Sequence, residues 1–209
     1  MPLQHRFINE LNDLENYKRF CGRAISRQNK FLIIGTFNPD DNSCAEPNDA
    51  TWFYGRQKNW FWKYLPSCLT GQSLHQTSGF NETHWRQYCI DNKIIIVDLL
   101  KGIDHPQQLE DYKDKRLDNR INDQLTNASI FNFATAFNNV TFEKVIYTRK
   151  GWNPATDRDI LKLIQIKCLV NHALLQNNII TDLRQIKYCP APWQRRPTTQ
   201  TQWYTALNE

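Results

Sequence analysis

Apolar residues fall into two patterns along this chain. In the first they recur at helical spacing. Leu11, Leu14, Tyr17 and Phe20 stand three apart within 9–28, with polar residues between, which predicts an amphipathic helix. In the second they form short unbroken runs, as buried strands do. "FLII" (31–34) stops at Gly35, "KIIIVDLLKG" (93–102) has its strand end near Asp98, and "VIYT" within 142–151 is a third strand closed by a polar loop. A fourth short strand in 183–192 is halted by Pro190 and Pro192. Between these runs, 53–55 reads as loop and 58–69 as a helix that Pro66 kinks or ends. Residues 81–91 read as a further helix, and the charged stretch 106–128 as a solvated loop and helix. Pro154 and acidic residues open a helix in 153–166, and 196–207 reads as a closing helix.

Strands separated by helical stretches indicate βαβ units, hence an α/β domain whose parallel sheet is covered on both faces. The chain shows no internal repeat, low-complexity tract or linker, so residues 1–209 read as one domain, with 1–28 as an N-terminal helical extension packed on it. In such sheets ligands sit at the carboxyl ends of the strands. That directs attention to the loops after Thr36, Asp98, Thr148 and Cys189.

Composition changes this picture little. The chain has 209 residues, 40% hydrophobic and 22% charged, enough for one core that buries roughly 70% of the unfolded surface. A net charge of +5 suits a protein that meets a polyanion on one face, and equally many that do not. Six cysteines at 21, 44, 68, 89, 168 and 189 form no CxxC pair and no metal-type spacing. Cys89 and Cys168 read as buried filler. The N-terminus lacks the apolar core of a signal peptide, and no apolar run approaches the length of a membrane span. The expectation is a reduced, cytoplasmic, monomeric protein. His5, His75, His84, His105 and His172 are scattered and suggest no metal site, and no cofactor is expected.

The unusual segment is "TWFYGRQKNWFWKYLP" (51–66), with seven aromatic side chains in sixteen positions, threaded with Arg56, Lys58 and Lys63. Together with the preceding "GTFNPD" it resembles the first motif region of the uracil-DNA glycosylase superfamily. The mismatch-specific and hypoxanthine-type branches are nearest, where a strand end is followed by an aromatic and then Asn-x-Phe-Trp, here Asn59, Phe61 and Trp62. "IIIVDLLKGID", "KVIYTRKG" and "CPAPWQRRPTTQTQW" resemble, in order, the family's second strand, third strand and closing motif. The similarity runs from about Lys30 to the C-terminus. It implies a three-layer α/β/α sandwich with a central, mostly parallel four-stranded sheet. It also implies a monofunctional DNA glycosylase that hydrolyses the N-glycosidic bond of a damaged, deaminated or modified base flipped out of DNA.

Breaking that bond requires a placed water and oriented dipoles around the departing base. By this resemblance Asn38 or Asn59 positions the water, Asp40 can reach the same water, and Asp98 either acts in catalysis or organises its loop. Gly35, Phe37, Pro39 and Tyr54 would hold the base, with Tyr54 stacking on it. Arg56, Lys58, Arg149 and Lys150 would touch DNA. In the closing loop Ala191 stands where the family commonly has Ser. There Trp193, Gln194, Arg195 and Arg196 stand where the family inserts a wedge into the duplex: Trp193 would fill the gap left by the base while Arg195 and Arg196 bind flanking phosphates. Without the resemblance these residues read more plainly. Asn38 is a turn residue, Asn59 a helix cap, Tyr54, Phe61 and Trp62 core, and the arginines solvated charge. Two other functions remain open: a defence enzyme excising hypermodified pyrimidines from phage DNA, and a catalytically silent DNA reader.

Overall fold

A computed structural model describes residues 2–149, 153–192 and 197–209. The N-terminal segment carries β1 (Leu3–Gln4), α1 (Ile8–Tyr17), β2 (Arg19–Phe20) and β3 (Arg23–Ala24). The first long strand, β4 (Gln28–Gly35), is followed by α2 (Phe61–Thr70), α3 (Glu82–Asp91), β5 (Ile94–Asp98) and β6 (Leu100–Ile103). Then come α4 (Asp114–Asp118), β7 (Ala128–Ile130), α5 (Phe133–Ala136), β8 (Thr141–Tyr147), α6 (Leu161–Gln176), β9 (Ile186–Tyr188) and α7 (Pro197–Asn208).

The central sheet has four strands in the order β5-β4-β8-β9, all parallel. The neighbouring strands β4 and β5 read as apolar runs because both their faces are covered. From Phe31 to Ile34, and from Ile94 to Val97, no side chain is more than 2% exposed. With crossovers of the usual right-handed sense, α2 and α3 cover one face and α4 to α6 the other. α7 packs on α2, and α1 packs on α5. The chain leaves β4 toward β5 and leaves β8 in the opposite direction toward β9. This divergence opens a crevice at the carboxyl ends of β4 and β8. A second, antiparallel sheet of β1, β6 and β7 stands beside it.

The helix expected over 9–28 ends at Tyr17. Lys18 takes the left-handed conformation that closes a helix, and a tight hairpin follows with positive φ at both Cys21 (52°) and Gly22 (73°). The N-terminal 28 residues are thus a strand, a helix and a hairpin, and β1 is woven into the second sheet. Pro66 does not end its helix. The carbonyl of Trp62, deprived of its usual donor by the proline, accepts the Leu74 N–H at 2.8 Å instead. The helix expected from Pro154 begins later, after turns, at Leu161. All six cysteines are free thiols; Cys89 is buried as expected, but Cys168 is exposed on the outer side of α6. Among the described residues no helix is long and apolar enough to cross a membrane.

Most of the aromatic segment is core. Trp52, Phe53, Phe61 and Trp62 are at most 1% exposed. Trp62 stacks on Trp85 at 5.3 Å and lies parallel to Trp52 at 5.7 Å. The Trp62 indole N–H donates to the Phe53 carbonyl, and that of Trp85 to Leu74. The stack ties the loop after β4 to α2 and α3. It leaves Tyr54, Arg56 and Asn59 to face the sheet's carboxyl edge.

Candidate active site

The exits of all four parallel strands meet around one cavity of about 230 Å³. Thr36, Phe37 and Asn38 come from β4, Asp98 from β5, Thr148 and Arg149 from β8, and Ala191 and Pro192 from beyond β9. The aromatic loop adds Phe53, Tyr54, Arg56 and Asn59, and the segment before α4 adds Tyr112, Lys113 and Asp114. This volume lies below the ~300–1,000 Å³ of drug-sized sites, which leaves room for one ring system.

Asn38 is 9% exposed, and its Oδ1 is fully committed. It accepts from Arg56 Nη2 and from Asn48 Nδ2, both at 2.8 Å. Asn48 is fixed in turn. Its Oδ1 accepts from the Ala50 amide at 3.1 Å and from Arg56 Nε at 3.2 Å, and its Nδ2 also donates to the Pro39 carbonyl. Since every partner of these oxygens is a donor, neither amide can be flipped. Asn38 therefore turns its NH₂ group, not its carbonyl, toward the open space. The guanidinium of Arg56 lies 3.6 Å from the centre of the Tyr112 ring. Burial lowers its pKa, partly offset by Tyr112 and nearby acidic groups.

Asp98 is 4% exposed, and its Oδ2 meets His5 Nε2 at 2.8 Å. Its Oδ1 and the Tyr54 hydroxyl lie directly over Gly35, where any Cβ would overlap both. Tyr54 itself has φ 57°, a left-handed conformation uncommon outside glycine that turns the ring back across the strand exit. That ring stacks on Phe61 at 4.1 Å, and its hydroxyl bonds Thr148 Oγ1 at 2.8 Å. Burial, and then the charge of Asp98, raise the Tyr54 pKa well above its ordinary value.

Asn59 stands one residue before Trp60, the N-cap of α2, and its Oδ1 accepts the Phe61 amide at 2.9 Å in a turn, which occupies one lone pair. Its backbone carbonyl is held by His75 Nε2 at 3.1 Å. On the opposite wall Asp114 pairs with Arg149 at 2.7 Å. Burial pushes the Asp114 carboxyl up, while Arg149 and a bond with Thr36 pull it back. Among the described residues no three His, Cys, Asp or Glu side chains gather into a metal-binding group.

Of the residues singled out from sequence, Phe37, Asn38, Tyr54, Arg56, Asn59, Asp98, Arg149 and Ala191 line the cavity. Gly35 lies beneath it, and Pro39 is buried behind it, bridged to His5. Asp40 turns away: its Oδ1 accepts the Ser43 amide at 2.7 Å and caps a short 3₁₀ turn. Lys58 is exposed and outside the lining. Lys150, Trp193, Gln194, Arg195 and Arg196 lie outside the described residues.

Among the cavity and support residues that the sequence reading missed are Tyr112, Lys113, Asp114 and His5. Tyr112, Lys113 and Asp114 sit in the stretch read as solvated, which Leu109, Leu117 and Ile121 anchor to the core at no more than 3% exposure each. The spacing of those three apolar residues was the available signal. His5 carried none, because only the pairing of β1 with β6 brings it to Asp98.

Comparison of the chain with protein-family models, with curated proteins and with solved structures returned no match. The resemblance carried by the four motifs therefore stands on their residues alone.

Proposed function

We propose that this chain is a monofunctional DNA glycosylase that hydrolyses the N-glycosidic bond of a base turned out of DNA into the cavity. The observation that carries the reading is the convergence of Asn38, Tyr54, Asn59 and Asp98 on one ring-sized space at the carboxyl edge of the sheet. Base excision requires such a pocket, since the reacting bond is out of reach within a stacked duplex.

Each group then has a role its geometry permits. The Asp98 carboxylate takes a proton from a water held between it and the remaining lone pair of Asn59 Oδ1. The water oxygen bonds to C1′, the C1′–N bond breaks, and its electron pair leaves with the base. The base later takes a proton from solvent, and Asp98 returns its own. The Asn38 NH₂ group and the Arg56 cation behind it stabilise the charge that develops on the departing base. Tyr54, backed by Phe61, forms one wall. Thus the choice between the two asparagines divides into two tasks: Asn59 holds water and Asn38 binds base.

The test uses duplex and single-stranded oligonucleotides bearing uracil, hypoxanthine, xanthine or modified cytosines, followed by alkaline cleavage at abasic sites. Strand breaks with wild-type protein that vanish with Asp98→Asn support the reading, and the base released names the substrate. Binding to these oligonucleotides without any abasic site would sink the enzyme and favour a silent reader of the same pocket.

A further inference from the structure

We propose that His5 is a positioning residue that locks the Asp98 carboxylate with one oxygen facing the cavity. This rests on the reading of Asp98 as the group that activates water. The His5 ring is 1% exposed and lies in a box formed by Phe7, Phe37 and Phe53, with ring centres 5.7–5.9 Å away. Its Nδ1 faces the Phe7 amide at 2.9 Å. A backbone N–H can only donate, so Nδ1 carries a lone pair, and the proton of the neutral ring is on Nε2. That proton points at Asp98 Oδ2, 2.8 Å away. With Oδ2 held, the carboxylate cannot rotate, and Oδ1 stays above Gly35 at the cavity floor.

The backbone fixes His5 from both sides. The His5 amide donates to Lys101 at 2.9 Å, and the Arg6 amide donates to the Asn38 carbonyl at 2.8 Å. The Asp40 amide donates to the Gln4 carbonyl at 2.8 Å, and Leu3 and Gln4 pair with Ile103 and Gly102. The first residues of the chain are thereby zipped between β6 and the loop that carries Asn38. This is more than a buried histidine needs for packing. It sets the ring's height and angle relative to a carboxylate 93 residues away.

Two measurements test the proposal. Long-range ¹H–¹⁵N correlation spectra of the wild-type imidazoles should show His5 protonated at Nε2 and bare at Nδ1, with the Nε2 resonance moving in Asp98→Asn. A His5 ring protonated at Nδ1, or an unchanged spectrum in that variant, overturns the proposal whether or not the protein releases a base. On whichever oligonucleotide is cleaved, His5→Leu should lower the single-turnover rate by roughly 10- to 100-fold, the range for losing a group that orients a functional ligand. DNA affinity should stay unchanged, and His5→Gln, which restores an N–H donor, should recover most of the rate. Wild-type rates in folded His5→Leu, or no recovery in folded His5→Gln, would refute it. If wild-type protein releases no base from any oligonucleotide, the glycosylase reading falls, and the spectra still decide whether His5 holds Asp98.

Discussion

The guanidinium of Arg56 lies over the ring of Tyr112, 3.6 Å from its centre, while its Nη2 and Nε bond the side-chain oxygens of Asn38 and Asn48. One planar cation thus joins the aromatic loop, the exit of β4 and the segment before α4. None of these partners is a carboxylate. The charge is held by neutral oxygens and a π face, which leaves it available to an anion forming in the cavity.

A lysine cannot reproduce that fork or stack. Arg56→Lys should therefore cost about 1–3 kcal/mol in urea unfolding, the range for losing charge-assisted hydrogen bonds. It should also slow base release more than it weakens DNA binding. Lys58→Ala, two residues away and exposed, should leave the unfolding midpoint unchanged. Equal midpoints for Arg56→Lys and wild type would mean that the network does not hold the wall together.

Gly35 is the second point of close approach. A methyl group there would enter the space of Asp98 Oδ1 and Tyr54 Oη. Gly35→Ala should destabilise by about 1–3 kcal/mol, as overpacked sites do. Its effect on base release should exceed its effect on stability, because both displaced atoms belong to the cavity. A variant with wild-type melting temperature and rate would show that these side chains do not rest on the strand.

Much of this arrangement was legible in the sequence. Unbroken apolar runs at 31–34 and 94–97 mark strands buried on both faces, and that pattern survives any detail of loop structure. The rule that ligands gather at strand exits pointed to the loops after Thr36, Asp98 and Thr148, where Asn38, Asp98 and Arg149 line the cavity. What was not legible depended on long-range pairing or on local turns. His5 gains its place from β1 pairing with β6, and Asp114 from an ion pair with Arg149 in the cavity wall. The helix read over 9–28 failed because Leu11, Leu14, Tyr17 and Phe20 keep their spacing through the hairpin at Cys21 and Gly22. There the turn residues outweigh periodicity.

The tryptophan stack makes a third prediction. Trp62 is 1% exposed and touches Trp52, Trp85 and Phe61. Trp62→Ala should cost about 3–5 kcal/mol, and Trp62→Phe less, since Phe keeps a ring but loses the bond to the Phe53 carbonyl. A double-mutant cycle with Trp85 should return a coupling of about 0.5–1.5 kcal/mol for the parallel pair. Zero coupling would mean the two rings are not in contact in solution.

His75 links the site's architecture to pH. Its Nε2 donates to the Asn59 carbonyl, and its Nδ1 accepts from the Thr77 amide at 3.3 Å, so the ring in place is neutral. It stacks on Trp60 at 4.9 Å. Burial lowers its pKa below the ordinary 6.5, Lys63 adds to this, and the bond to Asn59 partly opposes it. The unfolded chain therefore takes up a proton near pH 6.5 that the folded chain still refuses. Stability from this residue is complete above pH 6.5. It declines as the pH falls from there to the lowered folded value, and below that it is lost. Urea midpoints measured between pH 7.5 and 5 should fall for wild-type protein and fall less for His75→Gln, whose amide can still donate to Asn59. Because the Asn59 carbonyl hangs on this ring, base release should weaken over the same acidic interval in wild type and less in the variant. Parallel pH curves for the two proteins would remove His75 as the cause.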